Sequence, residues 1–426
     1  MNFQNILLIE PENVDNLYPF NILHAGWEVR CGALRLFEKT QKLFPDKKII
    51  YSARRKQLNN FLDKFGESES KLEKDDLFVL SSSILPSKAT FDYLEKLYNT
   101  FTKEENEKSV YFSYKNTPVA AFIDKKDFNK KVNEKNSNNY LKNLTTIFPK
   151  IEITDLNEVK LIDYLWDAIE YNGKAIIEDS KYFENIQKND IVKFKGINFL
   201  NIKDIYFGKN CNIAPTVVLD AREGPIILGN NVKIMPQSTI IGPCFIGDNS
   251  IIKIGAKIYE NNSIGEFCKV GGEVENSILH AYTNKQHEGF LGHSYLGEWV
   301  NLGADTNTSD LKNTYSTIKI TLRDRAVDSG RLFLGLLCGD HTKSGINTMF
   351  TTGTTCGICG ILVRDWFLPN YIKSFSWGGK TDSPNYKIEK ALEIVRIVMA
   401  RRNKKLSIFE EDLIREEYKL NLSKSQ

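Results

Sequence analysis

The sequence predicts an open α/β domain, then a left-handed parallel β-helix built from six-residue repeats, then a helical C-terminal tail. Three observations carry this. Aliphatic residues recur every six positions from Leu228 to Val270. Strand-like and helix-like runs alternate over residues 1–100. An amphipathic segment, Tyr386 to Asn403, closes the chain with basic residues at its end, as suits a helix C-terminus.

In the first domain, Asn5 to Glu10 reads as a buried strand and Gly32 to Leu43 has helical apolar spacing. Lys48 to Tyr51 and Leu77 to Leu80 read as further strands, with a helix over Thr90 to Tyr98. This β-α-β order predicts an open sheet. Val110 to Ile123 reads as a hairpin turning near Asn116-Thr117-Pro118. Residues 124–150, rich in Lys and Asn, are expected to cover the surface. Leu156 to Tyr171 is a good amphipathic helix. A domain boundary is expected between about 175 and 200. The domains are read as 1–180, 195–372 and 384–426.

The repeat is the firmest signal. Leu228, Ile234, Ile240, Ile246, Ile252, Ile258, Ile264 and Val270 stand in register without a miss. If such residues fill a quarter of positions, chance gives this about once in 10⁵ trials, on the order of what marks a true repeat. Ile226, Val232, Ser238, Cys244, Ser250, Ala256, Asn262 and Cys268 precede them by two. A helix is excluded, because period six does not return to one face at 3.6 residues per turn. A triangular coil fits: one aliphatic per strand points to the axis and stacks on the coil below, while Gly, Asn and Asp accept the corner angles. The phase breaks near Glu273–Gln286, resumes at Leu296-Gly297 and Leu302-Gly303, and returns weakly at Ile346 to Ile358.

Composition narrows the function classes. Of 426 residues, 41% are hydrophobic and 26% charged, with net charge +3, which argues for neither nucleic acid nor a membrane surface as partner. The N-terminus is no signal peptide, and no apolar stretch approaches the ~18 residues of a membrane helix. Seven cysteines in such a chain fit a reducing, cytoplasmic setting. The lone Cys356-Gly-Ile-Cys359 reads as small residues filling a tight coil.

Two stretches bear on chemistry. His287 to Thr306, HEGFLGHSYLGEWVNLGADT, resembles the acetyltransferase half of the bifunctional bacterial UDP-N-acetylglucosamine diphosphorylase/glucosamine-1-phosphate N-acetyltransferase family. Its archaeal-type relatives carry His-x-x-Tyr-x-Gly and then Asn-Leu-Gly-Ala-Gly-Thr. Asp328-Ser329-Gly330 and Gly339 to Thr348 add to the likeness. The N-terminal part looks like the reduced sugar-nucleotidyltransferase domain fused to such coils. That resemblance lies in Leu17 to Phe20, Glu28 to Gly32, Tyr171-Asn172-Gly173 and Val398 to Arg402.

The resemblance implies an acyl-CoA-dependent N-acetyltransferase of sugar-nucleotide biosynthesis acting on an amino-sugar phosphate, with acetyl-CoA as donor. Such a reaction needs a base for the amine proton and donors for the thioester oxyanion. The resemblance places the base on His287, with Lys285, Phe290, Asn301 and Asp310 against the substrate. His293 competes, because His293-Ser294-Tyr295-Leu296-Gly297 also mimics the motif; residue count back from Asn301 favours His287. His280 and His341 are weaker candidates. Phe290 stands where the family has Tyr, Asp305 where it has Gly, and Asp310 where it has Asn. An added carboxylate repels a phosphorylated sugar.

Glu28 and Arg30 are the nucleotide-binding candidates, and Mg²⁺ is expected if nucleotidyl transfer is active. The Gly-rich phosphate loop of ordinary members is missing. So is the Arg-Pro pair of the reduced family near His24-Ala25. Leu80-Ser81-Ser82-Ser83-Ile84 replaces an expected Asn-Gly-Arg segment. A homotrimer is implied by the family. Two other readings stay open: a sugar-1-phosphate nucleotidyltransferase whose coil only trimerises it, and a non-catalytic β-helix scaffold.

Overall fold

A computed structural model describes residues 1–68, 72, 74–105, 107–128, 140–155, 157–183, 195–363, 366–379 and 386–423. Contacts cluster into two compact units. One holds Met1–Leu17, Leu23–Val29 and Arg35–Tyr164; the other holds Tyr18–Ile22, Arg30–Leu34 and Leu165–Gln426.

The first unit is a six-stranded sheet in the order β2-β1-β3-β5-β4-β6. Strands β1 (Asn5–Ile9), β2 (Lys48–Ser52) and β3 (Leu77–Ser81) run parallel. Their connections are helices α1 (Leu36–Leu43) and α2 (Arg55–Phe65), followed by α3 (Lys88–Glu105) after β3. Strands β4 (Val110–Tyr114), β5 (Thr117–Ile123) and β6 (Lys150–Glu152) complete it, with β5 antiparallel to β3. Strands β1 and β3 are fully buried, as unbroken apolar runs in a sheet covered on both faces should be.

The expected strands and hairpin are present, with shifts that have local causes. The helix expected from Gly32 begins at Leu36, because Glu38 reaches back to the Arg35 N–H at 2.7 Å and so starts the helix there. Helix α2 was not anticipated, although Leu58, Phe61, Leu62 and Phe65 have helical spacing. The hairpin turns at Lys115-Asn116, both left-handed, and Pro118 lies within β5 where the β4–β5 register shifts. Within the segment expected to cover the surface, residues 129–139 lie outside the described residues. The short helix α4 (Tyr140–Leu144) buries Tyr140, Leu141 and Leu144 in the sheet's second core cluster.

The second unit is a parallel β-helix with three faces. The first face runs from Asn198–Leu200 to Phe290–Gly292, and the second from Ile205–Phe207 through nine strands to Tyr371–Ile372. The third begins at Asn212–Ile213. All eight aliphatics of the repeat and all eight residues two before them are at most 1% exposed. Leu228 pairs with Ile246 and Ile246 with Ile264, so each aliphatic sits on the one three repeats away. One corner carries Asn210, Asn231 and Asn249 in the left-handed conformation, which Asn tolerates best among non-glycine residues.

The coil does not break at 273–286; it shortens. Val270 pairs with Lys285 and Ile264 with Leu279, each 15 residues on instead of 18. Residues are lost at the corners while the second face continues to Ile372. The chain leaves the coil after Thr308 and returns at Leu336. The excursion holds an antiparallel hairpin, Lys319–Leu322 with Arg325–Asp328.

Helix α5 (Leu165–Asp179) packs on the second face. It starts later than the helix expected from Leu156, a residue outside those described. Its Asn172 accepts from the Gly32 N–H and Ser263 hydroxyl and donates to the Asn261 carbonyl at 2.7 Å. A Cβ on Gly173 would meet the Asn261 side chain 1.9 Å away, so only glycine permits this approach. The tail forms α6 (Ile388–Ala400) and an unanticipated α7 (Ile408–Ser423). On α7, Glu417 accepts from Arg323 of the hairpin at 2.7 Å and from Ser374 of the coil at 2.8 Å.

Candidate functional site

The route of the coil decides which expected residues meet. Lys285 ends a strand of the third face, His287 follows at the next corner, and Phe290 lies on the first face. His293 is at the following corner, before the second face resumes at Tyr295. Asn301 returns to the third face, bridging Asn284 and Lys343. Within one chain, then, Lys285 and His287 share a corner, Asn301 lies on the neighbouring rung of the same face as Lys285, and Phe290 and Asp310 gather about Gly292 beside His293.

Lys285 occupies the inward rung above Val270 that an aliphatic would take, and it is 1% exposed. Its ammonium donates to the Gly271 carbonyl at 3.0 Å and the His287 carbonyl at 2.9 Å. A Cβ on left-handed Gly272 would lie 2.8 Å from this nitrogen, so the glycine makes its space. Burial pushes the amine down to about 8. The ammonium is spent inside the coil and does not face a sugar phosphate. His287 is exposed at its corner, and among the described residues its side chain has no hydrogen bond. Asn301 is half-buried and accepts from Asn284 at 3.4 Å.

His293 is different. Its Nδ1 lies 2.8 Å from Asp310 Oδ2, and its ring stacks on Phe333 at 5.1 Å. Its φ is +42°, a conformation that costs energy for a non-glycine residue and persists where surroundings impose it. With Nδ1–H donated to the carboxylate, Nε2 is left as the acceptor, the arrangement a general base needs. The two residues are 17 apart, the same interval as the Val274–Leu291 rung pair. One coil length of sequence was therefore the signal that joins them, and counting from Asn301 did not use it.

His293 borders a cleft of about 240 Å³. Helix α5 contributes Trp166 and Glu170, the coil contributes Asn261, Asn276 and His293, and the excursion contributes Arg331 and Phe333. Sequence reasoning missed Trp166, Glu170, Arg331 and Phe333, which tertiary packing alone brings here. Arg331 donates to Asp167 at 3.1 Å and reaches Glu170 at 3.5 Å. Nearby Glu275 is half-buried and its carboxyl is raised by burial. The weaker histidine candidates are buried: His280 against Glu298 at 3.2 Å and His341 against Glu410 at 3.2 Å.

The ends of β1, β2 and β3 are where an open parallel sheet ordinarily takes a ligand. Here the chain fills them with residues 24–29, all buried. Glu10, just past β1, accepts from the Gly26 and Arg54 N–H groups and from the Arg54 guanidinium, each at 3.0 Å. A Cβ on Gly26 would stand 2.6 Å from the Ser82 hydroxyl. Glu28, expected to bind nucleotide, is fully buried; its carboxylate meets the Ala25 N–H at 2.8 Å, His24 at 3.1 Å and Lys64 at 3.6 Å. That company lowers its pKa despite the opposing, larger effect of burial. Arg30, in the second unit, is fully buried and clasps Glu266 with both oxygens at 2.8 Å. The carboxylate at the strand ends is thus already satisfied and does not fit a Mg²⁺ ligand. Among the described residues no group of three His, Cys, Asp or Glu could hold a metal, and no helix is long and apolar enough to cross a membrane. The cysteines are free, and those of the CxxC are buried in the coil.

Comparison bears out the resemblance to sugar-nucleotide transferases that the sequence carries. Residues 6–188 match the family described as sugar nucleotidyl transferase. A bifunctional sugar-1-phosphate nucleotidylyltransferase/acetyltransferase of Sulfurisphaera tokodaii is 25% identical over 220 residues, 50% of this chain and 52% of that protein. The bifunctional protein GlmU of Methanococcus aeolicus is 28% identical over 214 residues, 50% of each chain. The chain spans about half the length of the curated relatives it matches. A solved UDP-N-acetylglucosamine acyltransferase from Campylobacter jejuni aligns with 52% of this chain and 94% of its own, at 12% identity and TM-score 0.25, and no conclusion follows from so low a score.

Proposed function

We propose that this protein is an acyl-CoA-dependent N-acetyltransferase of sugar-nucleotide biosynthesis, with His293 as general base and Asp310 as the residue that orients it. The 2.8 Å His293–Asp310 pair at the mouth of a cleft is the observation that carries this reading. In the reaction, His293 Nε2 takes the proton from the acceptor amine. The amine nitrogen bonds to the thioester carbonyl carbon of acetyl-CoA, the carbon–sulfur bond breaks, and the thiolate leaves to take up a proton. A positioned base of this kind supplies roughly 10²–10⁴-fold.

His287, favoured by sequence count, is the competing base. It belongs to the same reading if a homotrimer brings a neighbouring chain to its corner, and light scattering of the purified protein tests that assembly. Nucleotidyl transfer, Mg²⁺ included, finds no support in a strand-end crevice filled by the chain itself. A cytoplasmic setting, where acetyl-CoA is at hand, goes with the proposal. The test is thiol release from acetyl-CoA in the presence of an amino sugar, compared among wild type, His293→Ala and His287→Ala.

A further inference from the structure

The family resemblance implies a phosphorylated acceptor, but the cleft beside His293 is built for something else. Resting on the reading above, we infer that it takes the ring of an amino sugar by its ammonium group, with no phosphate on the part that enters.

Size is the first argument. At about 240 Å³ the cleft lies below the roughly 300–1,000 Å³ of sites for drug-sized ligands, a size that suits one sugar ring. Charge is the second. The only guanidinium in its lining, Arg331, already serves Asp167 and Glu170. Asp310 and Glu275 add two more carboxylates beside His293, and the three groups feel one another's charge. Glu170 lines the cleft, and Asp167, Asp310 and Glu275 are hydrogen-bonded to its lining residues Arg331, His293 and Asn276, so four carboxylates surround one guanidinium and one imidazole. A phosphate dianion entering this field meets net repulsion and, among the described residues, no unpaired cation in the lining, whereas an ammonium is drawn in. Shape and polarity are the third. Phe333, 46% exposed and stacked on His293, offers an apolar edge to the C–H face of a pyranose. Trp166, Asn261 and Asn276 also line the cleft; Asn261 donates to Asn276 at 2.9 Å and Asn276 to Glu275 at 3.3 Å, and each amide NH2 keeps a second hydrogen for a hydroxyl group. An ammonium held in the cleft lies beside His293, the base that must deprotonate it. The departure from the family, Asp310 in place of Asn, thereby gains a purpose: it orients His293 and attracts the amine.

Calorimetric titration of the full-length protein with D-glucosamine, glucosamine 1-phosphate and N-acetylglucosamine tests this without any turnover. D-Glucosamine is expected to bind at least tenfold more tightly than either of the others, and Phe333→Ala to weaken it at least fivefold. Glu170→Gln frees Arg331 from one partner, so it is expected to narrow the discrimination against the phosphate. Phe333 and Glu170 are both surface residues, and circular dichroism of each variant reports whether it folds. Equal or tighter binding of the phosphate, or binding indifferent to Phe333→Ala, overturns the inference. Acetyl transfer to a phosphorylated sugar would then leave the catalytic reading standing. Binding of D-glucosamine without acetyl transfer would sink that reading and leave this one.

Discussion

Replacing Lys285 by Met separates a structural lysine from a substrate contact. In the fold this side chain occupies an aliphatic rung, stacked above Val270, with its ammonium on two backbone carbonyls. Burial lowers its pKa from 10.5 to about 8. At 1.36 kcal/mol per unit, the charged form costs the folded state on the order of 3 kcal/mol near neutral pH. Methionine fills the rung without that charge, but deprives the two carbonyls of a donor, an offset of about 1–2 kcal/mol. The expected outcome is a gain of about 1–2 kcal/mol at pH 7, measured by urea unfolding. Its pH dependence follows from linkage. Between about pH 8 and 10.5 the unfolded chain binds the Lys285 proton and the folded chain does not, so wild-type stability rises with pH relative to the variant. The advantage of Met should shrink across that window and change sign within it, because about 1–2 kcal/mol is lost at 1.36 kcal/mol per unit. A variant that is less stable at pH 7, or a difference flat from pH 7 to 10, would refute the reasoning.

Three shorter expectations follow from other parts of the molecule. Ile246→Ala removes the middle of the Leu228–Ile246–Ile264 stack and should cost about 2–5 kcal/mol in urea unfolding, since a closed coil collapses poorly onto a void. Glu417→Ala leaves Arg323 of the hairpin without its carboxylate and should cost about 3 kcal/mol or more; limited proteolysis within 309–335 should then quicken. Addition of UTP or dTTP with Mg²⁺ should leave the melting temperature unmoved, because residues 24–29 fill the strand ends, and a rise of several degrees would contradict that view.

How much of this was legible in the sequence depends on whether a signal is periodic. The eight-aliphatic register is local and repeated, so the coil could be read directly, down to the buried small residues two positions earlier. The same logic misled where the period changed. Once corners lose residues, the rung after Val270 falls on Lys285, and a residue that looks like a surface cation lies in the core. The His293–Asp310 pair obeys a period too, one coil of 17, and a search at that interval would have found it. The cleft obeys none. Trp166 comes from α5 and Phe333 from an excursion out of the coil, and only packing puts them together. Helix α7 was missed for a related reason: its apolar stripe is weak, and its hold on the coil comes from Glu410 and Glu417.

The measurement closest to the central claim is the rate of thiol release from acetyl-CoA with D-glucosamine as acceptor, in wild type, His293→Ala and His287→Ala, each checked for native folding. The account predicts that wild type turns over, that His293→Ala lowers kcat by about 10²–10⁴-fold, and that His287→Ala stays within about fivefold, since its exposed ring has no orienting partner among the described residues. Full activity in His293→Ala, with loss in His287→Ala, would contradict it.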